Sequence, residues 1–157
     1  MAEMIIPEPA RQLEVFIGIW EVSGSMAMEG KSLNVTGRWQ FSRIANGHGI
    51  RTTSQTTIEG LGAFDEEELI GFDPGDGKIH LFSLNKFAVR DHVGTWKEDQ
   101  VLYVEYTGIQ EGKQCHEGIT IRFEGDQMHA DIVETLEGKV IVTTKLNLMR
   151  EAFNSND

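Results

Sequence analysis

Five residues carry the chemistry this sequence offers: His80, Asp91, Tyr106, Glu117 and Glu134. An imidazole beside a carboxylate can move a proton, and a phenol or a protonated carboxyl can donate to an oxygen. Two carboxylates held face to face must share a proton or hold a cation between them. Their linear spacing does not join the five. The turns do, because a two-residue hairpin loop fixes which residues of two strands face each other.

Gly125-Asp126 suits a type II′ turn, so Glu124 faces Gln127. Pairing then runs back through Phe123/Met128, Ile121/Ala130, Ile119/Ile132, Glu117/Glu134 and Cys115/Leu136, an apolar face interrupted by two glutamates. The other face, with Arg122/His129, Thr120/Asp131 and His116/Thr135, is polar and belongs outside. The same rule at Glu111-Gly112 sets Leu102 on Ile121, Val104 on Ile119 and Tyr106 on Glu117. At Glu98-Asp99 it sets Thr95 on Leu102, Val93 on Val104 and Asp91 on Tyr106, and at Asn85-Lys86 it sets Phe82 on Val89 and His80 on Asp91. The five polar residues thus form one inward row across five neighbouring strands, and they would serve equally as a satisfied network around ordered water. Glu137-Gly138-Lys139 reads as a three-residue loop that puts Val142 beside Glu134. Like charges directly opposite on a sheet cost up to about 1 kcal/mol, and more when desolvated, so Glu117 and Glu134 are expected to share a proton or bracket a cation.

Ten segments could supply the strands: 20–28, 35–44, 49–58, 67–73, 78–84, 87–96, 100–110, 114–123, 127–136 and 140–150. They are separated by turn residues at the spacing of an all-β sandwich or barrel. Ahead of them Pro9 suits the first turn of a helix, and Leu13, Phe16 and Ile17 form its apolar stripe. Gly18 ends that helix, and Trp20, Val22, Met26 and Met28 then alternate as a first strand. Short connections imply up-and-down order, and closure removes exposed edges. The expected fold is therefore all-β: an up-and-down antiparallel barrel of about ten strands, closed at one end by a short N-terminal helix. It forms one domain over 1–157, with a flexible arm at 1–6 and tail at 151–157. Trp39 and Phe41 are expected to line the cavity. Ile70, Phe72, Ile79 and Leu81 fall on the outside as an apolar patch, which predicts a homodimer through it. His48 belongs to a turn, His92, His116 and His129 face outward without metal-site spacing, and Cys115 is a buried filler.

A short helix, Gly18-x-Trp20 opening the first strand and Arg150 near the end of the last resemble the calycin superfamily of lipocalins and fatty-acid-binding proteins. With Gly71-Phe72-Asp73 at a strand end, the chain is more closely similar to a bacterial calycin-like group of unknown function. The resemblance implies a barrel closed where Arg150 packs over Trp20. Leu146, Leu148 and Arg150 also share one face of the last strand, which points Arg150 inward on the alternation alone. Two family features are missing. The last strand ends Asn147-Leu148-Met149-Arg150-Glu151, without the Arg-x-Tyr pair that holds a lipid carboxylate, and no histidine follows His129 to ligate haem as in nitrobindin-like proteins.

Composition narrows the partners. Asp and Glu number 25 against 14 Lys and Arg, and a net charge of −11 repels phosphate backbones and anionic lipid. Neither nucleic acid nor a membrane is an expected partner, and no apolar run is long enough to span a bilayer. A single cysteine and an acidic start without a basic leader suit the cytoplasm. No phosphate-cradling glycine loop or serine nucleophile is found, and no cofactor or metal is expected. The leading expectation is a protein that binds a small hydrophobic or amphiphilic molecule, neutral or amine-bearing, inside the barrel. The alternative is a cyclase or isomerase in which His80 and Asp91 move a proton and Tyr106 or a protonated glutamate donates to an oxygen.

Overall fold

The computed structural model describes residues 5–152, so most of the expected arm at 1–6 and tail at 151–157 lies outside the described residues. Helix α1 (Glu8–Arg11) starts after Pro7, with Pro9 in its first turn, and runs on as a 3-10 turn over Gln12–Phe16. Ala10, Leu13 and Phe16 are its buried face. Gly18 then takes φ +135°, which L side chains rarely adopt, and a Cβ there would lie 3.2 Å from Nη1 of Arg150. The glycine lets the chain swing from helix into strand while leaving room for that arginine.

The strands are β1 (Gly18–Met28), β2 (Lys31–Ile44), β3 (Gly49–Ile58), the two-residue β4 (Gly62–Ala63), β5 (Glu66–Asp73), β6 (Lys78–Asn85), β7 (Val89–Glu98), β8 (Val101–Gln110), β9 (Lys113–Glu124), β10 (Gln127–Leu136) and β11 (Lys139–Arg150). Each pairs antiparallel with its neighbours, β3 meets β5 past β4, and β1 pairs with both β2 and β11. Ten strands therefore close into an up-and-down barrel, with β4 as a short appendage. Glu29-Gly30, Glu111-Gly112 and Glu137-Gly138 each place two successive residues at positive φ, the signature of type I′ hairpins whose twist matches the strands they join.

The helix end is solid. Trp20 is fully buried and donates from Nε1 to the Phe16 carbonyl at 2.9 Å. Phe16 meets Phe123 edge-on at 4.7 Å and Phe41 at 5.3 Å. Trp96 donates to the Pro9 carbonyl at 3.1 Å, tying β7 to the helix. Arg150 lies 4.3 Å over the Trp20 ring and donates to the carbonyls of Val15 and Ile17 and to Asp126.

Two registers and one turn depart from the sequence reading. β8 with β9 and β9 with β10 pair as the turn rule requires, Glu117 opposite Glu134 included. Between β7 and β8, however, the turn residues are Asp99 and Gln100, and a bulge at Trp96/Glu98 adds one residue to β7. One added residue turns every side chain of a strand to its other face. Arg90, His92, Gly94 and Trp96 consequently point inward, and Asp91 and Val93 outward. The β6–β7 loop is also longer than Asn85-Lys86 alone, because Leu84 pairs with Val89 and the Asn85 side chain caps the intervening residues. That change shifts the pairing by two and keeps the face, so the inversion passes on to β6 and β5. Ile70, Ile79 and Leu81 are buried and Phe72 packs against the core, so the apolar patch expected outside is core and offers no dimer surface. Finally, Glu137-Gly138 is a two-residue turn, and a bulge in β11 near Ile141, rather than a longer loop, brings Val142 opposite Glu134.

Candidate functional site

The half of the barrel away from the helix is polar inside. Glu117 on β9 and Glu134 on β10 face each other, and Arg90 from β7 reaches between them, donating from Nη1 to Glu117 and from Nη2 to Glu134, each at 3.1 Å. The same Nη2 donates to Gln110 Oε1 at 3.2 Å, and the guanidinium lies 5.1 Å from the Tyr106 ring centre. The cation that the two glutamates require is thus a side chain of the protein itself.

His92, 2% exposed, completes the cluster. Its Nδ1 lies 3.3 Å from the Leu81 carbonyl and can only donate to it, while Nε2 lies 2.5 Å from Glu117 Oε1. Both ring nitrogens are occupied, so none is free for a substrate. Burial raises the Glu117 pKa, but the hydrogen bond to His92 and the charges of His92 and Arg90 outweigh it and hold the carboxyl below its ordinary range. Tyr106 meets the His92 ring at 5.8 Å, tilted by 53°, and lies along its own strand over Gly108, where a Cβ would sit 1.9 Å from the phenol oxygen. Cys115 donates to Glu134 at 3.6 Å, and burial pushes its thiol pKa up.

Beside this closed cluster stand two further acids, Glu66 and Glu68, which share the inner face of β5 with Ile70. Glu66 accepts from Asn85 Nδ2 at 2.7 Å. Among the described residues, no group hydrogen-bonds the Glu68 carboxyl. Burial, reinforced by the charges of Glu66 and Glu117, pushes its pKa well above the ordinary carboxylate range. Glu68 pairs in register with Thr52 on β3 and Ser83 on β6. Thr52 is 0% exposed, and its Oγ1 has no hydrogen-bond partner. Trp39 lines the same region, donating from Nε1 to Thr56 Oγ1 at 2.9 Å. Arg90, Glu117 and Glu134 keep 15%, 15% and 16% of their side-chain surface accessible although they face inward, so water reaches this half of the lumen.

The structure therefore brings Tyr106, Glu117 and Glu134 together around Arg90, sets Trp39 inside beside Thr56 and Phe41, and puts His80 and Asp91 outside. His80 does meet Asp91, at 3.1 Å, but on the outer wall, where its other nitrogen lies 2.8 Å from Asp76. Burial lowers the His80 pKa, and the hydrogen bonds to Asp76 and Asp91 more than reverse that. His92, expected outside, is the inner histidine. Asp73, Asp76 and His80 bring potential ligand atoms within 4.8 Å of one another on this exposed turn. Both carboxylates already accept turn backbone hydrogen bonds, and both His80 nitrogens are engaged. Nearby, Leu69, Phe72, His80 and Phe82 line an outer groove of about 330 Å³.

Arg90, His92, Glu66, Glu68 and Thr52 were not marked by the sequence. A signal for two of them exists: in Glu66-Glu67-Glu68-Leu69-Ile70 the alternation ties Glu66 and Glu68 to Ile70, so an inward isoleucine brings both acids inward.

No protein-family model matches the sequence, and no curated protein matches it. Among the described residues no helix is long and apolar enough to cross a membrane. The chain is similar to the crystal structure of Rv2717c from M. tuberculosis, with a TM-score of 0.73 and 16% identity over 94% of this chain and 100% of that one. At that identity the likeness shows the fold alone. A structure of EF1p2_mFAP2b bound to DFHBI aligns over 92% of this chain and 100% of that one, at 17% identity and a TM-score of 0.47.

Proposed function

We propose that the chain is a single-domain, calycin-like, cytoplasmic binding protein that holds one small, mostly apolar molecule, neutral or amine-bearing, in the half of the barrel away from the helix. The observation that carries this reading is the pairing of Glu68 with Thr52: two facing polar groups without partners, in a lumen where Arg90, His92, Glu117 and Glu134 satisfy one another. An unsatisfied buried polar group costs about 1–3 kcal/mol, and a ligand that hydrogen-bonds there recovers it. A cyclase or isomerase has less support, because the pair assigned to move its proton, His80 and Asp91, sits on the outer wall while Tyr106 lies inside.

Mass spectrometry of small molecules carried through purification tests the reading, with the fluorescence of Trp39 as the site report. A retained or titrated apolar compound should alter the emission, and Trp39→Phe should remove the change. A protein that retains nothing, and whose Trp39 responds to no apolar compound, would overturn it.

A further inference from the structure

The polar groups of the lumen divide by charge. Arg90 and His92 are matched to Glu117 and Glu134 in one hydrogen-bonded cluster. No cation is matched to Glu66 and Glu68, whose register partners on β3 and β6 are Ser54, Thr52, Asn85 and Ser83, all uncharged. Asn85 engages Glu66, but among the described residues neither the Glu68 carboxyl nor the wholly buried hydroxyl of its register partner Thr52 has a hydrogen-bond partner.

We propose that Glu68, Glu66 and Thr52 form the seat of an organic ammonium group. This rests on the binding reading above and names the class of ligand. A protonated amine supplies up to three N–H donors. It can give one to each carboxylate and one to the threonine oxygen, while its apolar body lies toward Trp39 and Ile70. An anion is excluded by the two acids, and an alcohol would gain only neutral hydrogen bonds, about half as strong as charge-assisted ones. A hard divalent cation wants six or more oxygens, and one of the two carboxylates here is already shared with Asn85.

Binding is coupled to a proton. Glu66 on the same strand and Glu117 across the lumen both repel charge on Glu68, no charged group faces it from β3 or β6, and Arg90 and His92 are hydrogen-bonded to Glu117 and Glu134 while their charges also reach Glu66. The raised pKa of Glu68 favours its protonated form, and an ammonium beside it favours the carboxylate, so binding is linked to release of a proton and ammonium affinity rises with pH wherever the empty protein holds that proton.

Calorimetric titration of the full chain with benzylamine and with benzyl alcohol, in two buffers of different ionisation enthalpy between about pH 6 and 8, tests this. The expected result is benzylamine binding tighter than benzyl alcohol by about tenfold or more at the higher pH, with net proton release on amine binding. Glu68→Gln should bind both compounds alike and release no proton, and Thr52→Val should weaken benzylamine severalfold. Benzyl alcohol binding as tightly as benzylamine, without proton release, overturns the ammonium seat and leaves the binding reading standing. Binding of neither compound overturns both. A response to calcium but not to benzylamine overturns the ammonium seat in favour of a metal. Should Glu68→Gln fail to fold, proton release by the unsubstituted protein and the Thr52→Val comparison decide.

Discussion

Glu117 and Glu134 face each other across β9 and β10, held together by the single guanidinium of Arg90. Neither acid lies on the strand that supplies the arginine, and this contact fixes β7 against the far wall of the lumen. Removing one partner of a buried ion pair leaves an uncompensated charge, which costs about 3–5 kcal/mol. Arg90→Gln should therefore destabilise by about that much in urea denaturation at neutral pH, and adding Glu134→Gln should recover part of it. A loss below about 0.5 kcal/mol would mean that the two glutamates settle their repulsion by sharing a proton instead.

The two inner acids Glu117 and Glu68 should respond to pH in opposite senses. The Glu117 pKa is lowered on folding, so its contribution is present above the unfolded value, near 4.3, and is lost as pH falls through the folded value. The Glu68 pKa is raised, so the folded state holds the extra proton and stability is lost as pH rises from the unfolded value toward the folded one. Glu68→Gln should thus stabilise the ligand-free protein at neutral pH and flatten the fall of stability as pH rises above the unfolded carboxylate value, while Glu117→Gln should destabilise. Thermal denaturation as a function of pH checks both signs.

At the helix end, Trp20→Ala should cost more than Arg150→Ala. Burying about 150–250 Å² of indole at about 25 cal/mol/Å² is worth at most about 4–6 kcal/mol. The cation–π contact of Arg150 contributes about 0.5–2 kcal/mol. Arg150 also satisfies the Val15 and Ile17 carbonyls, so its loss should exceed that of the aromatic contact alone. Equal losses in denaturant would contradict this ranking.

The closed barrel, its ten strands and the Glu117/Glu134 pairing were legible because type I′ and II′ turns and unbroken alternation fix them locally. The faces of β5, β6 and β7 were not. They hang on one bulge beside Trp96, which leaves no mark in the composition of the strand, and a single unit of slip there exchanges Arg90 and His92 for Asp91 and Val93. Apolar residues on both faces of β6 hid the error. Ile79 and Leu81 go inside, yet Phe82 and Leu84 stay about half exposed outside, so alternation there has no contrast to read. Arg90 could be placed only once the barrel had closed, because its partners come from strands 27 and 44 residues away in the chain.

The central claim, that a small molecule enters the lumen beside Glu68 rather than the outer groove at Phe82, is tested most directly by NMR titration with benzyl alcohol while the Thr52, Ile44 and Leu69 methyl groups are observed. Saturable shifts at Thr52, with Ile44 and Leu69 unmoved, are the predicted result. Shifts confined to Ile44 and Leu69, or no saturable shift at any of the three, would contradict it.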